Sequence, residues 1–178
     1  MQACAGHTIV RHEGSFGNAL LTRRPVLDVR RYDLSYGGRE ARGALAVDLQ
    51  VESECVQVIV THLGLRPAER RYQVRRMLHL LQELPVERKV VVLGDINEWL
   101  PLSRPLRWLH GMFGHSPAER SFPSGLPLFA LDRVWVRPRH TLLAFSTHRS
   151  PLARLASDHL PVKALIAAAA PPVSVLHG

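Results

Sequence analysis

Residues 89–99 read KVVVLGDINEW. Val90, Val91, Val92 and Leu93 run without a polar break between Lys89 and Gly94. A continuous, largely β-branched run of this kind predicts a strand buried on both faces. Its end, where the backbone first meets solvent, carries Gly94, Asp95, Ile96 and Asn97. Two residues apart in extended chain, Asp95 and Asn97 project to the same side, so the pair can share one chemical task. An Asx turn accounts for the same two residues.

The other elements follow from periodicity. Residues 17–35, GNALLTRRPVLDVRRYDLS, predict two short strands around Arg23–Pro25. Ala44–Val51 alternates apolar and polar with period two until Glu52, Ser53 and Glu54 break it, and Cys55–Leu63 resumes the alternation, which predicts a hairpin. Pro67 opens a helix in which Val74, Met77, Leu78, Leu81 and Leu84 recur at helical spacing up to Pro85. Its other face carries Arg70, Arg71, Arg75 and Arg76, read as a solvated face in preference to a phosphate site. A second helix is expected over Ser103–Phe113, with Leu106, Leu109, Met112 and Phe113 inward, and further strands over Leu128–Val136, Thr141–Phe145 and Leu160–Ile166. Several strands with two clear helices, not in strict alternation, predict a layered α+β fold.

A chain of 178 residues suits one domain, here residues 1–166, followed by a low-complexity, flexible tail over 167–178, AAAAPPVSVLHG. No apolar run approaches the roughly 18 residues of a membrane span, and MQACAGHTIV lacks both a basic leader region and a long apolar one. A cytoplasmic chain that is not transmembrane is the expectation. Cys4 and Cys55 are too few for a disulfide framework and form no CxxC pair, which favours a reducing compartment and no cysteine metal ligand. The formal net charge of +8 comes almost wholly from arginine, Lys89 and Lys163 being the lysines. Such a balance favours polyanionic partners, whether nucleic acid, an anionic membrane surface or phosphorylated small molecules, and does not choose among them. The arginine usage of a GC-rich genome accounts for it equally.

Four places repeat the pattern of a strand ending in a polar group: Thr61-His62, Asp95-x-Asn97, Asp132 within ALDRVWV, and Ser157-Asp158-His159 before LPV. Each has a plain structural reading, as a turn, a cap, a hydrogen-bonded histidine or, for Asp132 beside Arg133, a local ion pair. Taken together they supply oxygen ligands for a hard divalent cation, a base to activate water and an acid to protonate a leaving oxygen.

THLGL, GDIN, ALDRVWV and SDHLPV, in this order, resemble the motifs of the endonuclease/exonuclease/phosphatase superfamily, and GNALLTRRP is similar to a GNAILSRxP stretch frequent in its bacterial members. The resemblance runs from about Gly17 to Ile166. It implies a DNase I-like four-layered α/β sandwich, with two packed, mostly antiparallel sheets and flanking helices, and divalent-metal-dependent hydrolysis of phosphoesters with Mg²⁺ or Mn²⁺. In that family pattern Asp95 orients or deprotonates the attacking water, and Asn97 holds a phosphate oxygen or the same water. His159 acts as acid/base or phosphate-stabilising group, oriented by Asp132, while Asp158 lies at the metal with Asp95. His62 resembles the histidine of the DNase I and sphingomyelinase branch, and Arg42 is the expected phosphate contact.

Family members open with additional strands that carry an Asn and, in a QE-like motif, the Glu that is the main metal ligand. Here GHTIVRHEGSFGN, close behind Met1, resembles the middle of such a domain, with Gln2 at the very start and Glu13 in an expected loop. The expectation is an N-terminally shortened domain lacking the first strands, with weakened Mg²⁺ binding and some apolar sheet surface and edges uncovered. Two functional readings follow. One is a phosphodiesterase or phosphomonoesterase acting on nucleic acid or anionic phospholipid, with no stable protein partner. The other is a catalytically impaired remnant that binds phosphate or nucleic acid.

Overall fold

The computed structural model describes residues 1–12 and 14–168; Glu13 and residues 169–178, most of the expected tail, lie outside them. In chain order the elements are β1 (Gln2–Arg11), β2 (Gly14–Thr22), β3 (Val26–Asp33), β4 (Gly43–Val51), β5 (Glu54–His62), α1 (Pro67–Gln82), β6 (Lys89–Asp95), α2 (Arg104–Phe113), β7 (Asp132–Arg137), β8 (Leu142–Thr147), α3 (Pro151–Ala156) and β9 (Val162–Ile166). Strands β3 to β7 form one sheet in that order. Its pairs are antiparallel except β5 with β6, which run parallel and are joined by α1 as the crossover that a parallel pair requires. Strands β1 and β2 form one antiparallel ribbon, and β8 and β9 another.

Strand β6 is buried on both faces, as its unbroken apolar run predicts. Val90 and Val92 face Val74, Met77 and Leu81 of α1 and Leu106, Leu109 and Phe113 of α2. Val91 faces the opposite core, which β1, β2, β8 and β9 close with Cys4, Leu20, Phe145 and Ile166. The result is an α+β sandwich: a helix layer, a five-stranded sheet, and a second β layer that consists of two ribbons.

Strand β4 departs from its predicted alternation. Ala44 to Leu49 are all buried, because the helix layer covers Ala44 and Ala46 while the ribbon side covers Leu45, Val47 and Leu49. Asp48, the charge inside this strand, accepts from Arg30 (2.8 Å), Arg88 (2.7 Å) and the carboxamide of Gln57 (2.9 Å), its register partner on β5. A buried carboxylate without such partners would be costly.

Several expectations need correcting. Strand β1 and the short helix α3 were not anticipated, and β7 begins at Asp132 instead of Leu128. Ala167, assigned to the tail, donates its N–H to the Thr141 carbonyl at 2.8 Å. Arg70 is not on the solvated face of α1: it is 3% exposed. It sits four residues before Val74, on the core stripe. Its guanidinium grips Glu98 with two hydrogen bonds of 3.0 and 3.3 Å and also donates to the Gly64 and Leu65 carbonyls. This bidentate pair fastens the start of α1 to the residue just past Asn97.

Removing one partner of such a pair leaves the other charge buried and unpaired. Glu98→Leu is expected to lower unfolding stability by about 3–5 kcal/mol, and adding Arg70→Met should recover most of that loss. Urea denaturation of the two variants tests this; a loss below about 1 kcal/mol in the single variant would show that the pair does not hold the helix in place.

Candidate active site

Three neighbouring strands end at one level. His62, which closes β5, is the register partner of Asp95, which closes β6, and Asp95 is the partner of Asp132, which opens β7. Directly opposed residues share a face of the sheet, so the chain sets His62, Asp95 and Asp132 in a row across three strands. The close approach of β5 and β6 depends on Gly94, whose φ is +143° and where an added Cβ would lie 1.8 Å from the Thr61 carbonyl oxygen. A residue with a side chain would force the strand ends apart.

His159 completes the row from the loop after α3. Its Nδ1 is 2.8 Å from Oδ2 of Asp132, and the same oxygen accepts the Ser121 hydroxyl at 2.5 Å. With Nδ1 engaged, Nε2 faces Asp95, 3.8 Å from Oδ2, while Nε2 of His62 is 3.4 Å from that same oxygen. The loop is pinned by backbone bonds from Leu160 N–H to the Ser121 carbonyl and from Ser124 N–H to the Asp158 carbonyl. Arg133 makes no local pair with Asp132; it turns to the carbonyls of Ala130 and Pro117.

Asp95 and Asn97 form the turn that their spacing allows. Oδ1 of Asp95 accepts the Asn97 N–H at 2.8 Å, which is an Asx turn. Asn97 therefore does not continue the strand: its φ is +52°, and it is 4% exposed. One N–H of its carboxamide bonds the Leu63 carbonyl at 2.9 Å, tying the exit of β5 to that of β6, and the other N–H and the oxygen have no hydrogen bond among the described residues.

Arg42, His62, Asp95, Asn97, Asp132, Asp158 and His159, every residue expected at the site, line one cleft of about 470 Å³. The rest of the lining is apolar: Leu65, Trp99, Phe122 and Leu131. Arg42 is mostly buried and pairs with Glu40 at 3.3 Å, whereas Asp158 is exposed. Sequence reasoning missed Ser121, Trp99 and Phe122. Trp99, two residues beyond GDIN, had its position as a signal; Ser121 and Phe122 reach the site only through tertiary contact, Phe122 with its ring 4.8 Å from that of His159.

The two histidines that flank Asp95 are biased in opposite directions. Burial, then the charge of Arg42, push the His62 imidazole below its usual range. Burial also works against a charged His159, but the Asp132 hydrogen bond and the charges of Asp132, Asp95 and Asp158 outweigh it and hold that imidazole above its usual range. Burial raises the Asp95 carboxyl, with the Asn97 N–H opposing it. Titratable groups pushed apart in one cleft are the pattern of an acid/base site.

Among the described residues, no three His, Cys, Asp or Glu side chains gather into a metal cage. Asp95 and Asp158 are two carboxylates on one cleft, and Mg²⁺ is commonly held by one or two carboxylates with water and substrate phosphate filling its remaining positions. The donor set suits that mode of binding.

The profile of the Endonuclease/Exonuclease/phosphatase family matches residues 3–159. The chain is 34% identical over 173 residues to the uncharacterized protein YbhP of Escherichia coli K12, a match that takes in 90% of this chain and 66% of that protein. It thus spans just under two thirds of that relative's length. An endonuclease/exonuclease/phosphatase from Bacteroides vulgatus has a similar structure, with a TM-score of 0.72 at 17% identity, covering 92% of this chain and 74% of the other. The human Nocturnin catalytic domain with bound sulfate is similar at a TM-score of 0.65 and 17% identity, covering 92% and 72%. At such identities the likeness is one of fold. With the family profile matched over most of its length and the fold shared with solved members, the chain belongs to the endonuclease/exonuclease/phosphatase family.

Proposed function

We propose that this chain is a phosphoesterase that uses Mg²⁺ or Mn²⁺ and attacks phosphorus with an activated water. The observation that carries the reading is the row His62–Asp95–Asp132, closed by His159, along one edge of the cleft. The Asp132 carboxylate holds Nδ1–H of His159, so Nε2 is the atom that donates to a phosphoryl oxygen or to the leaving oxygen. Asp95 accepts a proton from the attacking water or orients it, and His62 steadies the same carboxylate oxygen. Arg42 and the spare N–H of Asn97 hold phosphoryl oxygens. Asp158 and Asp95 would hold a divalent ion, which would supply neutralisation of the charge that builds on those oxygens.

The basic charge leans towards a phosphodiester of nucleic acid or of an anionic phospholipid. The sulfate on the Nocturnin domain is an anion of the same tetrahedral shape as phosphate, bound by a protein of this fold. A second reading, a binder of phosphoesters without turnover, is favoured because no three His, Cys, Asp or Glu side chains among the described residues are grouped to hold a metal ion.

Hydrolysis of bis-p-nitrophenyl phosphate separates the two. Turnover is expected only with Mg²⁺ or Mn²⁺, and His159→Ala should lower it by roughly 10²–10⁴-fold with phosphate binding retained. Metal-independent inertness alongside intact phosphate binding would instead establish the binder. The role of Asp132 has its own readout: in Asp132→Asn the His159 imidazole should titrate at a lower pH by NMR, because the charged acceptor that favours the imidazolium is gone, and kcat should fall with it. An unmoved titration would remove Asp132 from the mechanism.

A further inference from the structure

Three segments along the apolar wall of the cleft carry leucines into solvent. Leu100 and Leu102 follow Trp99, Leu126 and Leu128 lie between Phe122 and Phe129, and Leu152 and Leu155 stand on α3; all six are more than half exposed. The segments touch. The Trp99 ring meets Phe122 at 5.6 Å and Phe129 at 4.8 Å, both edge-on, the Ser124 hydroxyl donates to the Arg154 carbonyl, and the Arg154 guanidinium reaches the Gly125 carbonyl. Residues 99–102, 122–129 and 151–156 therefore make one continuous rim, and Trp99 and Phe122 belong both to it and to the cleft.

Single exposed apolar residues are ordinary, and this chain has others on its strands, such as Leu143 and Leu165. Six leucines and a tryptophan on contacting segments, beside one cleft, are a patch. Exposed arginines stand at its shoulders: Arg104 and Arg107 on α2, directly after Leu102, and Arg149 and Arg154 around α3. Nucleic acid is bound by cationic tracks and stacked aromatic rings, and leucines projecting from separate segments serve neither. Leucine tips and a tryptophan between arginine shoulders match what inserts into the interface of a bilayer, which also asks no particular shape of the three segments. No helix among the described residues is long and apolar enough to cross a membrane.

We propose that this rim docks on an anionic phospholipid bilayer and sets the mouth of the cleft against the headgroups, so that the phosphoester hydrolysed is that of a membrane lipid. The choice of substrate rests on the phosphoesterase reading above; the docking does not. The reaction needs no further co-reactant: one water adds across a P–O bond, its hydroxyl to phosphorus and its proton to the leaving alcohol.

The test is sedimentation of the chain with vesicles of phosphatidylcholine, with and without phosphatidylglycerol, in EDTA so that no turnover is involved. Wild type should sediment with the anionic vesicles. Leu102→Glu/Leu126→Glu should lose about tenfold or more in affinity while hydrolysing bis-p-nitrophenyl phosphate as wild type does. Val86→Glu, at the opposite end of β6 from Asp95 and also exposed, should change neither. Wild type that ignores anionic vesicles, or a double variant that binds them as wild type does, would overturn the docking. Leucine variants that lose a single-stranded oligonucleotide and not vesicles would give the rim to nucleic acid. Intact vesicle binding with no hydrolysis of the soluble diester would overturn the phosphoesterase reading, and the lipid as substrate with it, while the docking stood.

Discussion

The carbonyl of Thr61 occupies the space where a side chain on Gly94 would be, and the whole cleft depends on that contact. Because nothing projects from Gly94, β5 and β6 stay paired up to their last residues, and His62 and Asp95 end side by side. The Asx turn at Asp95 and the Asn97–Leu63 bond then hold the two chain exits together. Behind them, Arg70 and Glu98 form a buried pair that fixes the first turn of α1 against the segment leaving the strand. A site whose supporting groups are this constrained keeps its carboxylates and imidazoles at fixed separations, which is what transition-state stabilisation requires.

The interior handles charge differently at the two ends of the sheet. At the end away from the cleft, Asp48 accepts from Arg30, Arg88 and Gln57. At the cleft end, Asp95 is shared by two histidines, and neither is at ideal hydrogen-bonding distance from it. One histidine is biased towards its neutral form and the other towards its charged form. The same opening is lined by these polar groups on one hand and by Leu65, Trp99, Phe122 and Leu131 on the other. This asymmetry joins the cleft to the leucine rim beyond it.

Much of this was legible along the chain. The unbroken Val90–Leu93 run predicted burial on both faces because a strand with no polar side must be covered twice, and the core residues of both helices could be taken from helical spacing. Arg70 could not be, since a positive charge on a helix marks solvent unless a buried carboxylate lies opposite, and Glu98 is 28 residues away. The full burial of β4 was hidden for a similar reason: Asp48 and Gln50 gave the look of a half-wet strand. Strand β1 carries small and polar residues with no clear period, and its pairing with β2 comes from neighbours in space.

Sequence alone determined which groups are available for chemistry, two carboxylates, a carboxamide and an imidazole at strand ends and one Asp-His pair before the last strand, because residue type and the end of an apolar run are local properties. Only the tertiary structure decided that they face one another. Whether His62, Asp95 and Asp132 share a level depends on register between strands separated by a helix and a long connection, and register is set by side-chain packing on both faces and by the contact at Gly94. The apolar wall was decided in the same way: Trp99, Phe122 and Phe129 are ordinary aromatic residues in the chain, and they become one surface when two loops distant in sequence close on the same side of the cleft.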